Sequence, residues 1–143
     1  MDIKINYEKL ANLAKKHDIR FIVLFGSHAQ NATRPESDVD IALFFDRDKN
    51  VLAEFEMFSD VLNGLSEALG VPSEKLDLLT LNKANILLRY EITAGGKLLY
   101  GNADLYEQYQ AFAFRDYIDA KPLFDLEDVL IRKRHKLIEQ ALM

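Results

Sequence analysis

Two acidic residues in a short apolar stretch are the first feature of the sequence that indicates chemistry. Asp38 and Asp40 stand two residues apart, with Val39 and Ile41 alternating with them. In a β-strand this spacing directs both carboxylates to one face of the sheet. Two neighbouring carboxylates repel each other unless a cation lies between them, and Mg²⁺ is the oxygen-bound cation that works with phosphate groups. The pair therefore predicts phosphoryl chemistry, in which two Mg²⁺ ions can clamp the attacking and the leaving oxygen.

A third acidic residue, Asp77, interrupts the apolar run formed by Leu76, Leu78 and Leu79. An ionised side chain has no structural reason to lie in a buried strand, because its desolvation is unfavourable. Asp77 is therefore the candidate that completes the metal site of Asp38 and Asp40. The alternative is that Asp77 faces solvent on an edge strand.

The dipeptide Gly26-Ser27 follows an apolar run and precedes Asp38 by a ten-residue polar spacer. Glycine permits a positive φ and a close approach of the backbone to a ligand. Backbone amides in such a turn can hold phosphate oxygens, and Ser27 adds a hydroxyl donor. Ala29 and Gln30 are predicted to open a short helix whose N-terminus favours an anion.

Other polar residues allow more than one interpretation. Arg34 is a candidate contact to nucleotide phosphates, but an arginine in a loop can equally be solvated. His28 is left out of the catalytic set, because phosphoryl transfer on two metals needs little help from an imidazole. The basic cluster, Arg132-Lys133-Arg134-His135-Lys136, is predicted either as a cationic helix end or as a contact to a partner or RNA.

The elements that must position these residues follow from apolar spacing and from Asn, Gly and Pro positions. The predicted elements are a helix from Asn6 to Asp18, a strand at 21–25, a strand at 38–45, a helix capped by Asn50 and ending at Gly70, a strand at 75–81, a helix capped by Asn82 and running to Thr93, a strand at 97–100, and helices at 104–118 and 126–142 joined by a link with Pro122.

The helix predicted at 104–118 contains five closely spaced aromatic residues. We expect them to pack mainly in the core, with some left for a partner; they are Tyr106, Tyr109, Phe112, Phe114 and Tyr117.

This order predicts an α/β fold with a small mixed sheet, flanking helices and two C-terminal helices. The 143 residues are expected to form one domain, with a catalytic core at about 20–100 and a helical extension at about 104–143. A formal charge of −5 argues against a protein that grips nucleic acid over its whole surface. The chain has no cysteine, which excludes thiol chemistry and disulfides. No apolar run reaches membrane-spanning length and no signal-peptide core is present, so we expect a cytoplasmic protein without a membrane partner.

The pattern Gly26-Ser27, spacer, Asp38-Val39-Asp40 and later Asp77 resembles the signature of the polymerase-beta-type nucleotidyltransferases. Its tight spacing and the short chain are similar to the minimal nucleotidyltransferase (MNT) branch, in particular the MntA-like antitoxins of HEPN/MNT toxin–antitoxin pairs. The resemblance covers about residues 20–100, and the C-terminal helices fit the antitoxin branch more loosely.

The resemblance implies a role for each residue of the motif. Gly26 and Ser27 would contact the triphosphate of ATP, Asp38 and Asp40 would bind two Mg²⁺, and Asp77 would bind metal and help to activate the attacking hydroxyl. It also implies a protein adenylyltransferase that moves AMP from ATP to a tyrosine of a cognate HEPN RNase toxin and thereby silences it. Direct binding of nucleic acid is then expected only through the complex.

Two alternatives remain open at this point. The protein can act as an antitoxin that masks the toxin by contact without catalysis, although the intact Asp38, Asp40 and Asp77 argue against a vestigial site. It can also transfer AMP to a small hydroxyl compound of the aminoglycoside type, for which no acceptor pocket is visible in the sequence.

Overall fold

The structure is a computed structural model that describes residues 3–29, 38–46 and 55–142. Helices and strands alternate along most of this part of the chain, which agrees with the α/β fold predicted from the sequence. In order they are α1 (Tyr7–His17), β1 (Ile19–Phe25), β2 (Val39–Phe45), α2 (Phe55–Leu69), β3 (Leu76–Thr80), α3 (Ile86–Gly95), β4 (Lys97–Tyr100) and α4 (Ala103–Leu142).

The strands of the described residues form one mixed sheet in the order β3-β2-β1-β4. The central strand β1 is antiparallel to both β2 and β4, whereas β2 and β3 are parallel. The C-terminal end of β1 therefore lies at the same sheet edge as the N-terminal ends of β2 and β3. Residues that follow β1 and residues that open β2 and β3 meet at this edge.

Each face of the sheet packs against a pair of helices. On one face, Ile41 and Leu43 of β2 pack with Leu10 of α1 and Leu65 of α2. On the opposite face, a smaller core joins β1 and β2 to α3 and α4; it contains Phe21, Val23, Ala42, Leu81, Ile92 and Tyr106. The alternation along β2 follows the predicted pattern, so Asp40 shares the α3/α4 face with Ala42.

The first helix forms as its sequence predicts. The Asn6 side chain accepts a hydrogen bond from the Lys9 amide at 3.1 Å, which satisfies one of the free amides at the helix start. At the other end Asp18 adopts a left-handed conformation with φ 56°, and its amide donates to the carbonyl of Ala14. The prediction for Asn50, in contrast, lies outside the described residues.

The predicted cap of α3 was wrong. Asn82 does not begin a helix, because its side chain clamps the end of β2: it accepts from the Phe45 amide at 2.9 Å and donates to the Phe45 carbonyl at 3.0 Å. Asn85 caps α3 instead, accepting from the Leu88 amide at 2.9 Å. An asparagine amide can satisfy both polar groups of one backbone residue, and Asn82 does so for Phe45.

The break predicted between two C-terminal helices was also wrong, because α4 continues through Pro122 for 40 residues. Proline removes one helical hydrogen bond and crowds the preceding turn. Side-chain contacts on both sides of Pro122 stabilise the helix where this hydrogen bond is missing. Lys121 pairs with Asp125 at 3.3 Å, and the rings of Tyr117 and Phe124 lie 6.3 Å apart. No helix of the described residues is both long enough and apolar enough to cross a membrane.

Candidate functional site

The three predicted carboxylates lie at one edge of the sheet. Asp40 on β2 and Asp77 on β3 are direct register partners, so their backbones are about 4.8 Å apart. Asp38 immediately precedes β2, two residues before Asp40, and it is exposed. Asp40 is half-buried, and Asp77 is exposed on β3, which forms the sheet edge in the described part of the chain. Asp77 therefore does face solvent on an edge strand, as the alternative interpretation expected, and it nevertheless lies beside Asp40.

Gly26 lies against the carboxylate of Asp40, because Phe25 at the end of β1 is the register partner of Asp40. Gly26 has φ +74°, a conformation that side chains other than glycine rarely adopt. A Cβ added at Gly26 would overlap Oδ2 of Asp40 and stand 3.2 Å from its Cγ. Glycine is therefore required both by the backbone conformation and by the closeness of Asp40.

The turn after β1 is a short 3-10 helix, Gly26–His28. The helix predicted to open at Ala29 and Gln30 would lie beyond Ala29, outside the described residues, and stays a prediction. Ser27 is half-buried in this turn, and His28 is buried. Gln30 and Arg34 lie outside the described residues, so the predicted contact of Arg34 stays a prediction.

The carboxylates influence one another electrostatically. Burial raises the pKa of Asp40 above its usual range, and the charges of Asp77 and Asp38 raise this pKa further. His28 acts in the opposite direction and lowers the pKa of Asp40. His28 was not predicted to take part in the site, yet the structure places it near enough to Asp40 to influence this carboxyl. The ionised form of Asp40 is thus disfavoured in the absence of a neighbouring cation.

The carboxylate oxygens of Asp38, Asp40 and Asp77 are suitable ligands for a divalent cation. Within residues 3–29, 38–46 and 55–142, no three His, Asp or Glu side chains already converge as a complete metal site. Carboxylate oxygens are nevertheless the ligands of Mg²⁺, which keeps several waters and binds through one or two carboxylates together with substrate phosphates. Asp38, Asp40 and Asp77 supply such oxygens, and their mutual repulsion is what a cation would relieve.

A groove beside Gly26 was not predicted from the sequence. It has a volume of about 530 Å³ and is lined by the end of β1 and one side of α3, including Phe25, Leu88, Tyr90 and Glu91. Tyr90 also stacks on Tyr117 of α4, with ring centroids 4.1 Å apart and planes 4° apart. The sequence signal that could have identified this groove is the apolar surface of α3 between Asn85 and Gly95, but only the fold brings it next to Gly26.

The remaining predicted residues of α4 divide between the core and the surface. Tyr106 and Tyr109 pack against Phe21, with ring centroids 5.3 and 5.9 Å away. Phe112 and Phe114 are exposed, as is every residue of the basic cluster. Tyr106 and Tyr109 therefore belong to the core, whereas Phe112, Phe114 and the basic cluster lie on solvent-facing parts of α4.

Comparison with known proteins agrees with this geometry. Residues 8–105 match the family described as "Polymerase beta, Nucleotidyltransferase", so the chain belongs to this family and is a nucleotidyltransferase. A curated relative is "Protein adenylyltransferase MntA" from Aphanizomenon flos-aquae (strain 2012/KM1/D3), which is 32% identical over 107 residues that cover 68% of each chain. The sequence thus lies close to the protein adenylyltransferases of the family.

Solved structures lead to the same fold. A crystal structure described as a toxin–antitoxin with AMP-PNP is 25% identical, with a TM-score of 0.65, and covers 88% of this chain and 99% of that chain. A variant of the toxin–antitoxin MntA-HpeT is also 25% identical, with a TM-score of 0.64 and coverage of 89% and 99%. The polymerase-beta-type fold predicted from the motif is therefore confirmed.

Proposed function

We propose that this nucleotidyltransferase moves AMP from ATP to a tyrosine hydroxyl of a cognate HEPN RNase toxin, with Mg²⁺ at the acidic edge of the sheet, and so acts as its antitoxin. The observation that carries the proposal is the register pair Asp40 and Asp77 beside Gly26, at the edge where β1 ends and β2 begins. The similarity to a protein adenylyltransferase and to toxin–antitoxin structures, one of them with an ATP analogue, supports the choice of donor and acceptor.

The carboxylates have distinct positions and therefore distinct roles. Asp38 and Asp40, two residues apart on one sheet face, would hold Mg²⁺ together with the triphosphate. Bound Mg²⁺ supplies charge stabilisation for the phosphates during transfer. Asp77 is exposed on the edge strand β3, where it borders the space through which an acceptor can approach.

The group-transfer step follows from these positions. Asp77 accepts the proton of the tyrosine hydroxyl as the phenolic oxygen attacks the α-phosphorus of ATP. The new bond joins this oxygen to the α-phosphorus, the bond from the α-phosphorus to the α,β-bridging oxygen breaks, and pyrophosphate leaves with that oxygen. The turn after β1 holds the triphosphate through backbone amides near Gly26 and the hydroxyl of Ser27.

The groove next to Gly26 would take the nucleoside of ATP. Its volume of about 530 Å³ is in the range of small-molecule sites, and its lining is mostly apolar with Glu91 at one side. In this proposal the acceptor hydroxyl comes from the partner protein.

Labelled ATP tests the proposal directly. Purified protein is incubated with the toxin, Mg²⁺ and ATP labelled on either the α- or the γ-phosphorus. The α-label should appear on the toxin, and the γ-label should appear only in pyrophosphate. Transfer of the γ-label would instead indicate a kinase, and label on an aminoglycoside but not on the toxin would indicate the small-molecule activity.

A matched pair of variants assigns the acids. Asp77→Asn should abolish labelling while it preserves ATP binding, because Asp38 and Asp40 still hold the triphosphate. Asp46→Asn is the control, since Asp46 lies at the other end of β2, where it pairs with Arg20 at 2.5 Å. Full labelling by the Asp77 variant would remove Asp77 from the mechanism.

A further inference from the structure

Among the described residues that line the groove beside Gly26, Glu91 alone carries a charge. Its side chain is exposed, and within the described part of the chain no ion pair or side-chain hydrogen bond occupies its carboxylate. The neighbouring side chains of the lining, such as Phe25 and Leu88, are apolar or aromatic. An ionised carboxylate only accepts hydrogen bonds. The groove therefore offers an acceptor that only a ligand with hydrogen-bond donors can satisfy.

The position of Glu91 along α3 relates it to the turn after β1. The C-terminal end of α3 lies against the end of β1, because a Cβ added at Gly96 would stand 3.3 Å from the carbonyl oxygen of Leu24. With a rise of about 1.5 Å per residue, Glu91 lies about 7.5 Å from this contact along the helix and Leu88 about 12 Å. On the groove side of α3, Glu91 is therefore nearer to Gly26 than Leu88 is.

The rotation of α3 is fixed by contacts on the side opposite Glu91. The buried Thr93 donates its hydroxyl to the Arg89 carbonyl at 2.9 Å, and its own carbonyl accepts from the Gln110 amide of α4 at 2.9 Å. The Arg89 guanidinium donates to the Ala84 carbonyl at 3.0 Å. Because residues 89 and 93 are each two positions from Glu91, they lie on the opposite side of the helix. These contacts hold Glu91 towards the groove.

A carboxylate in the proposed ATP groove is unfavourable by itself, because it repels the triphosphate. Outside its phosphates, ATP has hydrogen-bond donors only at the 2′- and 3′-hydroxyls of the ribose and at the 6-amino group of adenine. The ribose joins the phosphates to the base, so it comes directly after the triphosphate along the groove. The place of Glu91 matches the ribose, and the place of the apolar Leu88 matches the base. Both ribose hydroxyls can donate to one carboxylate.

We propose that Glu91 is a specificity-determining residue, which accepts hydrogen bonds from the ribose hydroxyls and selects ribonucleotides over nucleotides that lack them. The inference rests on the proposed function for the location of the triphosphate near Gly26. It goes beyond that function because it concerns which nucleotide is bound. When the ribose hydroxyls are present, the carboxylate is satisfied; when they are missing, its charge stays unpaired beside the triphosphate.

Binding of ATP and of 2′,3′-dideoxy-ATP tests the assignment, measured by calorimetry with the full chain and Mg²⁺. The unmodified chain should bind ATP at least about tenfold more tightly than the dideoxy nucleotide, because hydrogen bonds to a carboxylate are charge-assisted. In Glu91→Ala this ratio should fall to about one. The same variant should bind the dideoxy nucleotide more tightly than the unmodified chain does, since the repulsion is removed. A merely structural role of Glu91 would weaken both nucleotides together.

Three comparisons serve as controls. Glu107→Ala removes an exposed carboxylate of α4 that does not line the groove, and it should keep the ratio of the unmodified chain. Leu88→Val, at the expected place of the base, should weaken both nucleotides by a similar factor. Inosine triphosphate lacks the 6-amino group, so the preference for ATP over inosine triphosphate should be the same in Glu91→Ala and in the unmodified chain.

Two outcomes of the binding measurements would overturn the proposal. One is an unchanged preference for ATP over the dideoxy nucleotide in Glu91→Ala. The other is a preference for ATP over inosine triphosphate that depends on Glu91, which would place the carboxylate at the base.

The labelling assay with the toxin keeps this inference separate from the proposed function. A chain that labels the toxin equally well from ATP and from its dideoxy form, at concentrations below saturation, supports the proposed function and refutes the role of Glu91. A ribose preference that depends on Glu91, in a chain that labels no toxin, supports the role of Glu91 and refutes the proposed acceptor.

Discussion

At the scale of single residues, Asp40 is the group whose environment is most clearly set by the fold. It is half-buried on β2, next to Asp77 in register and against the backbone of Gly26. Burial and two neighbouring negative charges raise the pKa of Asp40. Because a bound cation would relieve this repulsion, the position of Asp40 is consistent with its proposed role as a ligand of Mg²⁺.

Asp40→Asn should reduce AMP transfer by at least about 100-fold, because it removes a metal-ligand charge with little change in volume. The same variant should be more stable than the unmodified protein at pH 7 without Mg²⁺. Because the folded pKa is raised, the favourable contribution of protonated Asp40 is present at low pH and lost as pH rises through that pKa. The gain in melting temperature should therefore shrink as pH is lowered towards and below 3.8, the unperturbed value. Equal transfer by the variant would remove Asp40 from the metal site.

Gly26→Ala should weaken the binding of ATP and Mg²⁺, because its Cβ would displace the Asp40 carboxylate. Gly70→Ala is the matched control: Gly70 has a similar φ of +65°, but the nearest atom to its added Cβ is the Lys4 carbonyl oxygen at 3.8 Å. Both variants should lose about 1 kcal/mol of stability from the left-handed backbone. Calorimetry should detect weakened binding in the Gly26 variant alone, and equal affinities would place the triphosphate elsewhere.

At the scale of elements, the end of β2 depends on a side chain from the turn after β3. Asn82→Ala should destabilise the protein by roughly 2 kcal/mol, since it leaves both backbone groups of Phe45 without partners. Asn85→Ala removes a helix cap and should cost about 1 kcal/mol. Hydrogen exchange of the Phe45 amide separates the two, because only the Asn82 variant should accelerate it. Unchanged exchange in that variant would contradict the clamp.

The packing of α1 on α2 includes a polar contact with a defined pH dependence. Asp60 Oδ2 lies 2.5 Å from Nε2 of the buried His17 and 3.0 Å from Nζ of Lys16. The hydrogen bonds from His17 and Lys16 lower the pKa of Asp60. The contact therefore stabilises the fold above pH 3.8 and is lost as pH falls through the lowered pKa.

Asp60→Asn should consequently lower the melting temperature at pH 7, and this difference should disappear in acid. Glu67→Gln on the same helix is the control, because the side chain of Glu67 is exposed to solvent. A pH-independent loss of stability in the Asp60 variant would show that packing, and not charge, holds the two helices.

The sequence was sufficient for the motif and for the order of the elements, because these depend on local spacing. The alternation around Asp38 and Asp40 and the apolar run before Gly26 define strands wherever they occur. The register that pairs Asp40 with Asp77 could not be predicted, since it depends on strand pairing across a long connection. The structural roles of Asn82 and Pro122 could not be predicted for a similar reason. Asparagine favours a helix cap and proline favours a helix break, but Asn82 binds the backbone of Phe45 and α4 continues through Pro122.

At the scale of the whole molecule, the acidic edge of the sheet and the exposed second half of α4 are separate surfaces. The first is built by β1, β2, β3 and α3, whereas the second lies on a stretch of α4 without buried residues. Substitutions in one should therefore leave the other intact.

The central claim is that the toxin is silenced by a covalent mark and not by continued contact. The measurement is the intact mass of the toxin after incubation with this protein, ATP and Mg²⁺, followed by removal of the protein and an RNase assay. The account predicts toxin heavier by one or more AMP units, modified on tyrosine and inactive after separation, with no mass change when Asp77→Asn replaces the unmodified protein. Toxin of unchanged mass that is inhibited only while the two proteins remain together would contradict the account and establish masking.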